Sequence, residues 1–155
     1  MRSIGFRASP TFVCYCVVEE KDGEIEIIII DKLKVPTNLE MPFQLSFIRK
    51  QIGLIMNEHK INKAMVRDAE SNARSISKPR TYIEGIIIER LADSLVSDKF
   101  CIGPMSKIAQ LINRKPAEVK GYIDNENVFM NIKEWDSLHK EARESIISAF
   151  AACNI

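Results

Sequence analysis

The sequence has no apolar run of membrane-crossing length. Its longest purely apolar stretch, Phe12 to Val18, falls far short of the ~20 residues that a helix needs to span a bilayer. The opening MRSIGFRASP lacks the apolar segment of a secretory signal, so no signal peptide is expected. Charge of one sign is not in excess: 22 Lys+Arg stand against 21 Asp+Glu, a formal net charge of +1. That balance excludes a generic polybasic nucleic-acid binder, and any such contact needs a local basic patch. Metal-finger chemistry also lacks its parts. Four cysteines are present, and Cys14 and Cys16 make a C-x-C pair. No second Cys/His pair sits at finger spacing, and His59 and His139 are isolated. The four thiols are therefore expected to be reduced and buried in a cytoplasmic protein. No phosphate-binding G-x-x-x-x-G-K-[ST], dinucleotide G-x-G-x-x-G or serine-hydrolase G-x-S-x-G occurs. There is no internal repeat and no low-complexity segment.

What is present is a chain of 155 residues, 46% hydrophobic, which suits one domain with its own core and excludes wholesale disorder. Residues 2–8 read as a short extended opening. Residues 11–19 and 25–33, rich in β-branched and aromatic side chains, read as strands joined by a turn with an Asp22-Gly23 signal. Apolar positions spaced three and four apart predict helices over 43–58 and 80–96, the second with Ile83, Ile86, Ile87, Leu91 and Leu95 on its apolar side. Short strands are expected at 63–67 and 100–103. Small helices are expected at 105–113 and 116–123, and a last helix at about 133–152 with Asp136 as its N-cap. Strands first, then strands alternating with helices, imply a mixed sheet: an antiparallel meander of three strands, two parallel strands added by right-handed crossovers, and helices on both faces.

That element order resembles the ribonuclease H-like fold, and four segments resemble its RuvC-like branch, the Holliday junction resolvases. Ile4-Gly5-Phe6-Arg7-Ala8-Ser9-Pro10 resembles the first strand of that branch, apolar-Gly-apolar-Asp-Pro-Gly. Ile61 to Glu70 resembles its fourth strand, which ends in a catalytic Glu. Arg80 to Ile88, with Gly85, resembles the helix carrying an Ala-Arg-Gly signature. His139 to Ala149 resembles the final segment, where Asp-Ala-x-Asp-Ala opens a helix of small and apolar residues. The resemblance implies an α/β, three-layer ribonuclease H-like fold in a single domain, residues 1–155. It also implies a homodimer and cleavage of phosphodiesters by two divalent ions held among converging carboxylates.

The departures fall on the residues such chemistry requires. Arg7 stands where the family has its first metal-binding Asp, and a guanidinium cannot deprotonate to admit a cation. The fourth-strand Glu falls near Arg67 or Asp68, with Glu70 the next carboxylate. The two Asp of the last helix become Glu141 and Glu144, and Glu84 replaces the Arg before the helix glycine. Three apart, Glu141 and Glu144 share a helix face and either hold one ion or form an ordinary solvated pair. Arg7 and Glu84 read as a replacement of the metal site, with Arg7 paired to one or more of Asp68, Glu84, Glu141 and Glu144. The loop with Arg74, Lys78 and Arg80 is either a backbone-binding loop for nucleic acid or a solvated connector.

Three functions follow as expectations. The leading one is a pseudo-nuclease without cofactor, a nucleic-acid-associated scaffold or regulatory subunit for DNA, RNA or a partner protein. The second is an active Mg- or Mn-dependent endonuclease with candidate catalytic residues Asp68, Glu70, Glu141 and Glu144, the last two as metal ligands. The third is a protein-interaction module with no nucleic-acid role.

Overall fold

A computed structural model describes residues 1–70 and 75–155. Five strands form one sheet in the order β3-β2-β1-β4-β5. They are β1 (Arg2–Ala8), β2 (Phe12–Lys21), β3 (Glu24–Lys34), β4 (Lys63–Arg67) and β5 (Phe100–Gly103). The first three are antiparallel neighbours, and β4 and β5 join in parallel beyond β1. The helices are α1 (Met41–Glu58), α2 (Lys78–Ala92), α3 (Met105–Leu111), α4 (Pro116–Ile123) and α5 (Lys140–Cys153). This is the mixed five-stranded, three-layer α/β arrangement expected. Among the described residues, no helix is long and apolar enough to cross a membrane.

Side-chain alternation divides the centre of the sheet between two cores. Ile4, Phe6 and Ala8 of β1, with Ala64 and Val66 of β4, face α1 and α2 and join Ile48, Ile52, Ile83 and Ile87. Met65 of β4 and Cys16 of β2 face the other way, toward Ile146, Ala149 and Phe150 of α5. Alternation therefore sends Ser3, Gly5 and Arg7 to the α5 side. Gly5 lets that layer come close: a methyl group at this position would overlap the main chain of Ser145 and Ala149. The Ser and Ala residues of α5 fit the same approach. They give a helix whose buried positions run without interruption from Ala142 to Cys153.

The bounds of α2 and α5 differ from the sequence expectation in ways that bear on the site. Helix α2 begins at Lys78, with Pro79 in its first turn and the Ser77 hydroxyl accepting from the Arg80 N–H. It ends at Ala92, so Leu95 lies beyond it and is 94% exposed rather than on the apolar stripe. The last helix starts at Lys140 rather than near 133. Glu134 adopts a left-handed backbone (φ 59°), and Trp135 is pinned in the core with its indole N–H donating to the Tyr122 carbonyl at 3.0 Å. His139, not Asp136, occupies the N-cap, its ring accepting from the Ala142 N–H. Cys14, Cys16 and Cys153 are buried free thiols, and Cys101 is half-buried.

Candidate functional site

Arg7, next to last in β1, and Arg67, the last residue of the adjacent parallel β4, are register partners. Partners in register point to the same face, so both guanidiniums lie under the N-terminal part of α5. Waiting there is Glu144, only 4% exposed. Its Oε2 accepts from Nε of Arg7, and its Oε1 lies 3.7 Å from Nε of Arg67, close enough for charge attraction but too far for a hydrogen bond. The Nε of Arg67 accordingly has no hydrogen-bond partner, although it is buried. Each arginine curls back so that Nη1 donates to the carbonyl of the next residue, Ala8 for Arg7 and Asp68 for Arg67.

The remaining candidate carboxylates are engaged separately. Glu70 accepts from Nη2 of Arg67 at 2.8 Å and from the Met105 N–H at 3.1 Å, which ties the end of β4 to the start of α3. Glu84, 5% exposed, accepts from Nε of Arg80 one helical turn away at 2.6 Å. Burial pushes the Glu84 carboxyl above its usual range; Arg80 opposes this, and Asp68 adds to it. Glu141 is half-buried on the first turn of α5, with Oε2 3.3 Å from Nδ1 of His139. The Nε2 of His139 lies 4.0 Å from the Cys14 thiol, which burial and then Glu141 push up to about 12. Asp68 accepts from the Ala69 N–H at 2.8 Å.

Arg7, Arg67, Glu70, Arg80, Glu141 and Glu144 therefore share one open cleft of about 410 Å³ between β1, β4, the start of α2 and α5. That volume falls within the range of small-ligand sites, ~300–1,000 Å³. Ser9, Ser77, Thr81 and Lys140 also line it. Glu84 lies against Arg80 and does not face the opening, and Lys78 is exposed at the start of α2 outside the cleft. Arg74 lies outside the described residues. Among the described residues, no three His, Cys, Asp or Glu side chains converge as metal ligands.

Sequence reasoning named Arg67 only as one of two positions for the fourth-strand carboxylate, and it did not place Lys140 in the site. The signal for Arg67 is its place at the end of β4. Two groups that share a pair of ions must be neighbours, and Arg67 is the register partner of Arg7, whereas Asp68 lies beyond the strand.

No protein-family model matches the chain, and no curated protein matches it in sequence. Solved structures do match. The chain is similar to Thermus thermophilus RuvC over 99% of its own length and 94% of that chain, with a TM-score of 0.72 at 9% identity. With T. thermophilus RuvC in complex with its Holliday junction substrate the TM-score is 0.70 at 11% identity, over 99% and 93% of the two chains. The Fowlpox virus resolvase, in complex with Holliday junction DNA, gives 0.57 at 12% identity over 98% and 97%. At these identities the likeness establishes the fold, and the chain has the RuvC-like form of the ribonuclease H-like fold.

Proposed function

We propose that this chain is a nucleic-acid-associated scaffold or regulatory subunit built on a resolvase fold, without two-metal cleavage. The observation that carries the reading is the Arg7–Glu144–Arg67 cluster on the floor of the cleft. Two divalent ions ~3.5–4 Å apart need several hard oxygen donors converging on them. Here Glu144 faces two guanidiniums, Glu70 is held by Arg67, and Glu84 by Arg80. A guanidinium is a fixed cation in proteins, so Arg7 and Arg67 repel the cations a nuclease would recruit. The donor set does not fit a two-ion site. The fixed positive charge instead balances the carboxylates from within the protein.

Nucleic acid is the favoured partner for two reasons. Two of the solved resolvase structures that share this fold are complexes with Holliday junction DNA, and Arg80, Lys140, Ser9, Ser77 and Thr81 supply phosphate-contacting side chains around the cleft. The same reading has the chain acting as a homodimer in the cytoplasm. Calorimetric titration of Mn²⁺ tests the loss of catalysis, with cleavage assays on four-way DNA junctions and RNA–DNA hybrids alongside. The expected result is no saturable binding at millimolar Mn²⁺ and no cleavage. Mn²⁺ binding that disappears in Glu144→Gln, together with cleavage by the wild type, would sink this reading and establish the endonuclease.

A further inference from the structure

The cleft already contains an anion held by its arginines, and that anion is the protein's own. Glu144 directs one carboxylate oxygen at Nε of Arg7 and the other toward Nε of Arg67. A guanidinium fork accommodates the paired oxygens of a carboxylate and those of a phosphodiester in the same way. Donors remain after Glu144 is satisfied. Among the described residues, Nη2 of Arg7 and both Nη groups of Arg80 carry no hydrogen bond, and Nε of Arg67 is buried without one. The described side chains facing the cleft comprise four cations (Arg7, Arg67, Arg80 and Lys140) against the carboxylates of Glu70, Glu141 and Glu144. Glu84 lies behind Arg80, and Lys140 is shared with Asp124 at 3.2 Å. A cleft so balanced can receive a phosphate without a metal ion, and removing one carboxylate charge shifts it toward anion binding.

We infer that the cleft is a metal-independent receptor for a DNA backbone phosphodiester, bound by Arg7 and Arg80 with Arg67 behind them, and that Glu144 positions the arginines while weakening the site. This rests on the nucleic-acid reading above. Glu144 is thus an internal placeholder for the anion, and its charge sets how tightly the phosphate is held.

The test measures binding of a fluorescein-labelled four-way DNA junction by anisotropy, in EDTA and in millimolar Mg²⁺, over a range of salt. Wild type, Glu144→Gln and Arg80→Gln are compared, with thermal unfolding recorded for each. The wild type is expected to bind equally with and without Mg²⁺. Glu144→Gln is expected to bind about tenfold tighter, as loss of a competing charge-assisted contact implies. Arg80→Gln is expected to bind about tenfold more weakly, with the salt slope reduced by about one. Arg80 is partly exposed at the start of α2, so its variant stays informative if Glu144→Gln fails to fold. Junction binding that needs Mg²⁺, or that a folded Arg80→Gln leaves unchanged, overturns the inference and leaves the nucleic-acid reading standing. Binding by Glu144→Gln with none by wild type supports the placeholder role. No binding by wild type or by either variant overturns both.

Discussion

Arg7 and Arg49 show how environment sets the value of an ion pair. Arg49 reaches Glu89 and Asp93 across the exposed faces of α1 and α2, and each of those partners is at least half exposed. Pairs of that kind contribute little, because water and salt screen them. Arg7 meets Glu144 beneath α5, where the carboxylate is 4% exposed, and removing the guanidinium would leave a buried charge with only the longer contact to Arg67. Arg7→Ala is therefore expected to lower unfolding stability by about 3 kcal/mol, and Arg49→Ala by far less, both read by chemical denaturation. Equal costs would show that Arg7 is not structurally committed. Glu84 supplies a pH dependence. Its carboxyl is raised above the ordinary range, by burial first, so the folded state holds its proton to higher pH than the unfolded state. Its stabilising share is fully present below the unfolded carboxylate range and is lost as pH rises through the folded value. The melting temperature of wild type relative to Glu84→Gln should therefore fall as pH rises through that window. A difference that grows with pH would mean the Arg80 pair outweighs burial.

At the scale of elements, the site depends on how closely α5 rests on β1. Glu144 reaches the strand ends because Gly5 has no side chain and the facing turn of the helix is Ser145, Ser148 and Ala149. Gly5→Ala sets a methyl group against helix main chain, which cannot yield as a flexible side chain can. The expected cost is about 2–3 kcal/mol, in the upper part of the overpacking range. Looser packing at Glu144 should accompany it, read as faster amide exchange in the first turns of α5. Unchanged stability and exchange would mean that the helix can lift without penalty. The N-terminus of α5 is set by a different group. Arg143, 8% exposed, donates to the carbonyls of Ile123 at 3.0 Å and Trp135 at 3.2 Å, binding the irregular segment before α5 to the end of α4. That segment carries several left-handed non-glycine residues, among them Asn125, Met130, Asn131 and Glu134. Sequence periodicity predicts the helix from about 133 because the left-handed residues and the buried Trp135 that delay its start to Lys140 have no periodic signature.

At the scale of the molecule, one sheet is covered on both faces, and the ends of its two central strands open into the cleft. Fold class was legible because strand and helix periods differ and because the element order alone restricts the topology. The RuvC-like form was legible from the order of four weak segments and is matched by solved structures of that type. The composition of the cleft was only partly legible. Arg7 and Glu144 could be named from the resemblance, whereas the fourth-strand position stayed divided between Arg67 and Asp68 until the parallel register placed Arg67 beside Arg7.

Local pattern alone specified the types of the elements, their order, and the presence of arginine where the resembled resolvases carry a carboxylate. Those properties are local, written in periods of two and 3.6 residues and in residue identity. Tertiary structure alone decided which charges meet. Glu144 lies 137 positions from Arg7 along the chain and 77 from Arg67. Glu84, which sequence reasoning grouped with Arg7, pairs instead with its helical neighbour Arg80. The choice among several carboxylates depends on strand register, on the depth to which α5 settles over Gly5, and on burial, and none of these is a property of a single segment.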